Sequence, residues 1–544
     1  MRSDVTTGAS TVAPTIEGVR VGVLVLIVVL GGTVLIGTTL GGRYRVAPPV
    51  LLIAFGVLLG LTPALSKVTL EPDLVLLIFL PAILYRESLT ISLREIRANL
   101  PVIGLLAVVL VVLTMVTVSF TAQAFGVNSA AAWVLGAVLA PTDAAAVTGL
   151  AKRLPRKLLT TLHAESLIND GTALVIFAVA VGLLTGGAEP GVLGISEEFV
   201  GASVGGVLAG LLVGAAVVLI RKRLDDPLRE GALSVLTPFG AFLLADSVHA
   251  SGVLAVVVAG LVLAYAGPRV IRARSRVLAF AFWNLTTFLI NGGLFVLLGT
   301  QIPRAVRGIT STSPQRALVI VLVVTLVVVF TRLFFIYLTT QSARLRRRRM
   351  VDGGGGSSGW RVGTVGGWSG FRGAVSLAAA LAVPTMTVSG QPVKERDLII
   401  FVTALVIVLI MLIQGTTLPL VVRWAGLVGD PGRVDETRHA QRRATEAGLA
   451  ALPQVAAEIG AREESVRRLQ AEYQRHLADV NETGGNTAEE RRLEHRLRLG
   501  VLAHKRREIT RLRDNREIDD LVLQELQAAL DNEEIRLLGR EPND

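Results

Sequence analysis

Blocks of about twenty consecutive apolar residues recur between about residue 20 and residue 425, each long enough to cross roughly 30 Å of hydrocarbon. A segment of that kind must satisfy its backbone N–H and C=O groups internally, because lipid offers them no partner. Composition agrees, since 51% hydrophobic residues over 544 leave too little charge to dress a soluble surface. The fold expected is an all-α polytopic membrane protein. Thirteen spans are read, centred near residues 30, 56, 79, 110, 139, 175, 208, 239, 259, 291, 327, 375 and 410. The N-terminus lacks the basic region and cleavage site of a signal peptide, so the first span is expected to be retained.

A net charge of +11 raises nucleic-acid binding, and its distribution argues against it. Residues 430–544 hold 20 basic against 24 acidic residues, whereas residues 1–429 hold 34 against 19. The excess lies in the membrane region, where Lys and Arg mark cytoplasmic loops. Alternate loops, starting after the first span, carry 22 basic residues, among them Lys152, Arg153, Arg156 and Lys157. The opposite loops carry Lys67, Arg304, Arg307, Arg316, Lys394 and Arg396. This asymmetry predicts an external N-terminus and a cytoplasmic C-terminus, and it supports the span count. With no cysteine there is no disulfide, thiolate metal site or cysteine nucleophile, and the six histidines form no HExxH pattern. No cofactor is expected.

Three regions follow: an extracytoplasmic segment 1–18, a transmembrane domain 19–427 and a cytoplasmic tail 428–544. The tail turns charged and heptad-like, as in "REESVRRLQAEYQRHL", and reads as soluble helices, dimerising or regulatory. "GGGGSSG" at 353–359 reads as a flexible linker. Gly206, Gly210 and Gly214 share one helix face, a stripe that favours close helix packing.

Polar residues inside apolar spans are expensive and mark function. Span six begins "AESLINDGTALV", placing Ser166 and Asp170 on one helix face and Glu165 and Asn169 beside it. The first pair offers a hydroxyl and a carboxylate as oxygen ligands, and the second suits a hydrogen-bond network. The alternative is a helix that starts at Ser166, capped at the membrane surface. Span five holds "APTDAAAV", where Pro141 removes a backbone donor and Thr142 and Asp143 follow at once. A break there frees carbonyls for a cation and turns a positive half-helix end toward Asp143; the alternative is a simple proline kink. In span twelve, glycines 366, 367, 370 and 373 surround Arg372. Spans five and twelve lie seven apart and so run in opposite directions. Interrupted helices in corresponding positions of inverted halves point to a transporter site, with spans 1–6 repeated as 8–13. Arg332 in span eleven either snorkels to a surface or pairs with a carboxylate, for which Glu165 is the candidate.

"APTDAAAV", "ESLINDGTALV", "SGVLAVVVAGLVL", "FLINGGLFVLLG" and "GFRGAVSLAAAL" together resemble the NhaP-type sodium/proton antiporters, bacterial relatives of the animal NHE exchangers. The resemblance runs from about residue 20 to 425. It implies a thirteen-helix homodimer whose interrupted helices cross in the core. It also implies that Asp170 binds cation or proton, with Ser166 and the carbonyl of Thr142 as further ligands. Asn169 would be the Asn-Asp partner associated with electroneutral exchange, Glu165 and Arg332 the structural ion pair, and Asp143 and Arg372 the charges that offset the broken helix ends. One departure concerns span three, where "LPAILYRES" puts Arg86 at the family's acidic or small position and Glu87 next to it. His163 lies near the cytoplasmic approach, where imidazole can sense pH or serve structure alone.

The function expected is alternating-access exchange of Na⁺ (or Li⁺) for H⁺ across the plasma membrane, for pH and sodium homeostasis. Proton and cation would compete for one carboxylate. The partners are those ions, membrane lipid and a second copy of the chain. K⁺/H⁺ exchange on the same fold is the alternative, followed by an ion channel or a membrane sensor. An intramembrane enzyme finds no His/Ser or metal-ligand set at membrane depth.

Overall fold

The computed structural model describes residues 16–44, 47–62, 75–91, 93–144, 154, 156–186, 192–309, 312–350, 358–427, 431–481, 485–515, 517 and 520–538. The chain forms two compact units, Met1–Gly429 and Asp430–Asp544. Their regular structure is helical throughout the described residues, with an isolated β-bridge between Met386 and Pro392.

The first unit opens with α1 (Ile16–Tyr44) and α2 (Pro48–Gly60), the latter started by two prolines whose missing N–H groups cost nothing in a first turn. A π-helical turn, Val75–Phe79, leads into α3 (Leu80–Ser88). The turn lies where Pro81 cannot donate to the carbonyl four residues back. Helix α4 (Leu93–Gly104) passes through a second π turn, Leu105–Val109, into α5 (Leu110–Ala124). Next come α6 (Ser129–Leu139), capped by the Asn128 side chain on the Ala130 N–H at 3.0 Å, and α7 (Arg156–Leu184). Four long helices follow: α8 (Val192–Arg221), α9 (Pro227–Ser247), α10 (Gly252–Val270) and α11 (Ala273–Gly308). The unit closes with α12 (Pro314–Met350), α13 (Ser358–Trp368), α14 (Ala374–Leu381) and α15 (Arg396–Trp424).

Nine helical stretches among the described residues, with α4, the second π turn and α5 taken as one, are long and apolar enough to cross a membrane. They coincide with nine of the expected spans. Spans two, three, five and twelve fall instead on short pieces: α2, α3 behind its π turn, α6, and the pair α13 and α14. Small residues allow close packing between the long helices. A Cβ on Gly206 would stand 2.6 Å from the Ser251 carbonyl oxygen, and one on Gly210 would overlap that of Ala255. The glycine stripe of α8 is therefore a contact with α10. Gly56 and Gly299 bring α2 and α11 together in the same way.

Residues 353–357 of the expected linker lie outside the described residues, and Ser358 and Gly359 already belong to α13. The second unit consists of α16 (Pro431–Ile459), α17 (Glu463–Asn481), α18 (Gly485–Asp514) and α19 (Asp520–Leu538). Gly460, in the left-handed region at φ +65°, ends α16 and turns the chain into α17. In the second pair, α18 and α19, Arg506 meets Asp531 and Glu534. Exposed pairs within single helices hold the carboxyls of Glu446 and Glu508 below their usual range, chiefly through hydrogen bonds from Arg442 and Arg511. Such pairs stabilise little in water.

Candidate functional site

Helix α6 stops at Leu139, and residues Ala140–Ala144 are not helical. Pro141, with no N–H and a ring that crowds the preceding turn, accounts for the break. The simple kink weighed for span five is ruled out; residues 145–153 lie outside the described residues. A second break, Ser369–Gly373, separates α13 from α14 in the glycine-rich stretch. The breaks touch: the Asp143 N–H donates to the Phe371 carbonyl at 2.9 Å. Arg372 donates from Nε to the Leu139 carbonyl at 2.9 Å and from Nη1 to that of Gly370 at 2.6 Å. Its charge thus sits where α6 and α13 end, among carbonyls lacking helical partners. The Asp143 carboxyl lies against Gly373, the residue that opens α14, so a negative charge meets a positive helix end. A Cβ at position 373 would overlap that carboxyl, which is why glycine is needed there.

Helix α7 begins ten residues before Ser166, so Ser166 is no surface cap. Glu165, Ser166, Asn169 and Asp170 are all buried. Arg332, 1% exposed, grips Glu165 in a two-pronged pair, Nη1–Oε1 2.5 Å and Nη2–Oε2 3.1 Å, and does not snorkel. Thr142 links this pair to Asn169: its hydroxyl donates to Glu165 Oε1 at 3.3 Å and accepts from Asn169 Nδ2 at 2.8 Å. The Ser166 hydroxyl accepts from the Ala144 N–H at 3.3 Å. Three side chains of α7, Glu165, Ser166 and Asn169, therefore brace the first break. Asp170 makes no hydrogen bond or ion pair among the described residues and faces a small cavity.

That cavity, about 10 Å³, has room for one water-sized particle. Polar groups from five places line it: Glu87 on α3, Thr142 and Asp143 in the first break, Asp170 on α7, Asn291 on α11 and Ser376 on α14. Of the four residues expected at the ion site, the ligands Asp170 and Thr142 and the helix-end charge Asp143 meet here, and Ser166 is not among the lining residues. Glu165, Asn169, Arg332 and Arg372 form the surrounding network. Glu87, Asn291 and Ser376 join the site without having been assigned to it. Arg86 turns away, donating to Asn284 Oδ1 at 2.6 Å and resting over the Phe280 ring. His163 bonds the Leu159 carbonyl of its own helix at 2.8 Å.

Interrupted helices meeting beside a buried carboxylate that has no partner among the described residues, in a bundle of membrane-crossing helices, point to an ion-coupled transporter. Residues 26–424 match the family described as sodium/hydrogen exchanger, transmembrane, and the chain belongs to that family. It is a multi-pass membrane protein and a transporter rather than an enzyme. An uncharacterized Na⁺/H⁺ exchanger of Mycobacterium tuberculosis is 53% identical over 522 residues, covering 95% of this chain and 96% of that protein. The Na⁺/H⁺ antiporter ApNhaP of Aphanothece halophytica is 32% identical and covers 79% of each chain. The sodium proton antiporter MjNhaP1 of Methanocaldococcus jannaschii shares the fold, with a TM-score of 0.55 at 20% identity over 72% of this chain and 99% of that one.

Proposed function

We propose that the protein exchanges Na⁺ or Li⁺ for H⁺ across the plasma membrane, one for one, by alternating access. The observation that carries this reading is Asp170, a buried carboxylate without a partner among the described residues, in a cavity where two broken helices meet. Oxygens of a carboxylate, a threonine and a neighbouring aspartate suit a hard alkali cation. Thr142 and Asp143 are the further ligands on this reading, and Ser166 holds the break that presents them. A proton on Asp170 blocks the cation, and a bound cation excludes the proton.

Electroneutrality has a local argument. Glu165 is already neutralised by Arg332, and Asn169 carries no charge and is fixed by Thr142. Of the carboxylates that line the cavity, Asp143 faces a positive helix end and Glu87 lies on α3, and on this reading Asp170 is the one that changes its occupant in each half-cycle. Sodium is favoured over potassium by the two relatives described above, whose names give Na⁺ and H⁺ as the exchanged ions. We further assign thirteen crossings with inverted repeats, crossed interrupted helices, an external N-terminus, a cytoplasmic tail 428–544 and a homodimer, on the loop charges and the family resemblance.

Proteoliposomes holding the purified protein and a pH-sensitive dye test the reading. Adding Na⁺ or Li⁺ should dissipate an imposed pH gradient, and clamping the membrane potential should leave the rate unchanged. A rate that follows the potential would refute one-for-one exchange; a response to K⁺ alone would establish the potassium alternative.

A further inference from the structure

We propose that Asn291 sets the balance between cation and proton at this site by supplying a neutral oxygen that only the cation uses. The inference deepens the exchange reading and rests on it.

The cavity has two walls. Thr142, Asp143, Asp170 and Ser376 come from the two breaks and the helices around them. Glu87 and Asn291 come from α3 and α11, which are fastened to each other. The Tyr85 and Trp283 rings meet edge to face at 5.2 Å, and Arg86 bonds Asn284. Asn291 is therefore anchored through α3 and α11, on a different helix from the one that carries Asp170.

Nothing among the described residues gives the side-chain oxygen of Asn291 a structural use. Its Oδ1 is buried and finds no hydrogen-bond partner among the described residues. The turns of α11 that follow, Gly292 to Gly299, are buried and apolar. An amide oxygen left unpartnered in such surroundings is costly unless a ligand meets it. The three carboxylates that line the cavity form no metal-chelating cluster among the described residues, so neutral oxygens must complete a cation's shell.

Carboxylate and carboxamide oxygens differ in one decisive respect. A carboxylate accepts either a proton or an alkali ion, whereas a carboxamide oxygen coordinates the ion and stays unprotonated near neutral pH. A carboxylate ligand strengthens both competitors. Asn291 strengthens one of them.

The test uses the full-length protein in proteoliposomes, with half-saturating Na⁺ measured across neutral and alkaline pH. Asn291→Leu should raise half-saturating Na⁺ by about five- to tenfold, the order expected for losing one neutral oxygen contact. The rise should be the same at every pH, because proton affinity is untouched; the pH at which the curve bends should stay in place. Asn291→Ser, which restores a neutral oxygen, should recover most of the loss. Unchanged half-saturation in Asn291→Leu, or a bend that moves with the substitution, would overturn the proposal. If the leucine variant does not assemble, Asn291→Ala against Asn291→Ser decides it by the same comparison. Wild type and Asp170→Asn run alongside: silence of the wild type would refute the exchange reading itself, whereas an active wild type with an unaffected Asn291→Leu would refute only the role of Asn291.

Discussion

At the scale of single residues, the Glu165–Arg332 pair shows why charge is tolerated at this depth. Both groups are essentially out of solvent, and each neutralises the other through two contacts. Such a pair adds little net stability over an apolar substitute, yet removing one member strands a buried charge at a cost of about 3–5 kcal/mol. Glu165→Gln and Arg332→Met should each lower the thermal unfolding midpoint of the detergent-solubilised protein. The double substitution should recover part of that loss. Strictly additive losses would show that the two charges do not compensate one another. The same scale shows where sequence reasoning stops. Arg86 and Glu87 are adjacent, and neighbours on a helix point about 100° apart. The choice of which one faces the cavity depends on helix phase, and the π turn at Val75–Phe79 shifts that phase by a residue. Ideal spacing could not have placed Glu87 there. Asn291 was visible within "FLINGGLFVLLG", but one amide in an apolar run carries no signal of what it faces.

At the scale of elements, the breaks were legible because proline and clustered glycines leave a direct mark on the backbone. How their ends are capped was less so. Arg372 and Asp143 serve the inner ends of three half-helices, and a further arginine serves the outer end of α14. Arg396 donates from Nε to the Val383 carbonyl at 2.8 Å and from Nη2 to that of Leu381 at 3.3 Å. From the sequence it was one of the few basic residues in the outer loops, with no hint of this duty. Helix α14 has only eight residues, so losing a cation at its C-terminal end, worth about 0.3–2 kcal/mol, matters. The Val388 N–H in the following hairpin also donates to the Thr185 carbonyl at the end of α7, at 3.0 Å. The C-terminal ends of α7 and α14 are therefore tied through one loop. Arg396→Met should speed hydrogen exchange at the amides of Ala378 to Val383, read by mass spectrometry, while leaving α15 protected. Unchanged exchange there would contradict the capping role.

At the scale of the whole molecule, the apolar runs, the charge asymmetry and the two broken helices conveyed the fold class and the neighbourhood of the site. The cavity itself was not readable, because it arises where α3, α7, α11 and two breaks converge from positions far apart in sequence. Nor was the binding of Ser166 to a backbone N–H across the break, which takes it away from the lining. What emerges is a membrane unit in which charges on the helix breaks are balanced locally, and the account assigns Asp170, among the carboxylates that line the cavity, to the transported ions. The most direct test of that claim is Na⁺-driven proton movement in proteoliposomes, comparing wild type with Asp170→Asn as external pH is lowered. The account predicts that half-saturating Na⁺ rises in wild type as protons compete for the carboxylate, and that Asp170→Asn moves no protons at any Na⁺ concentration. Exchange by Asp170→Asn at the wild-type rate would contradict it.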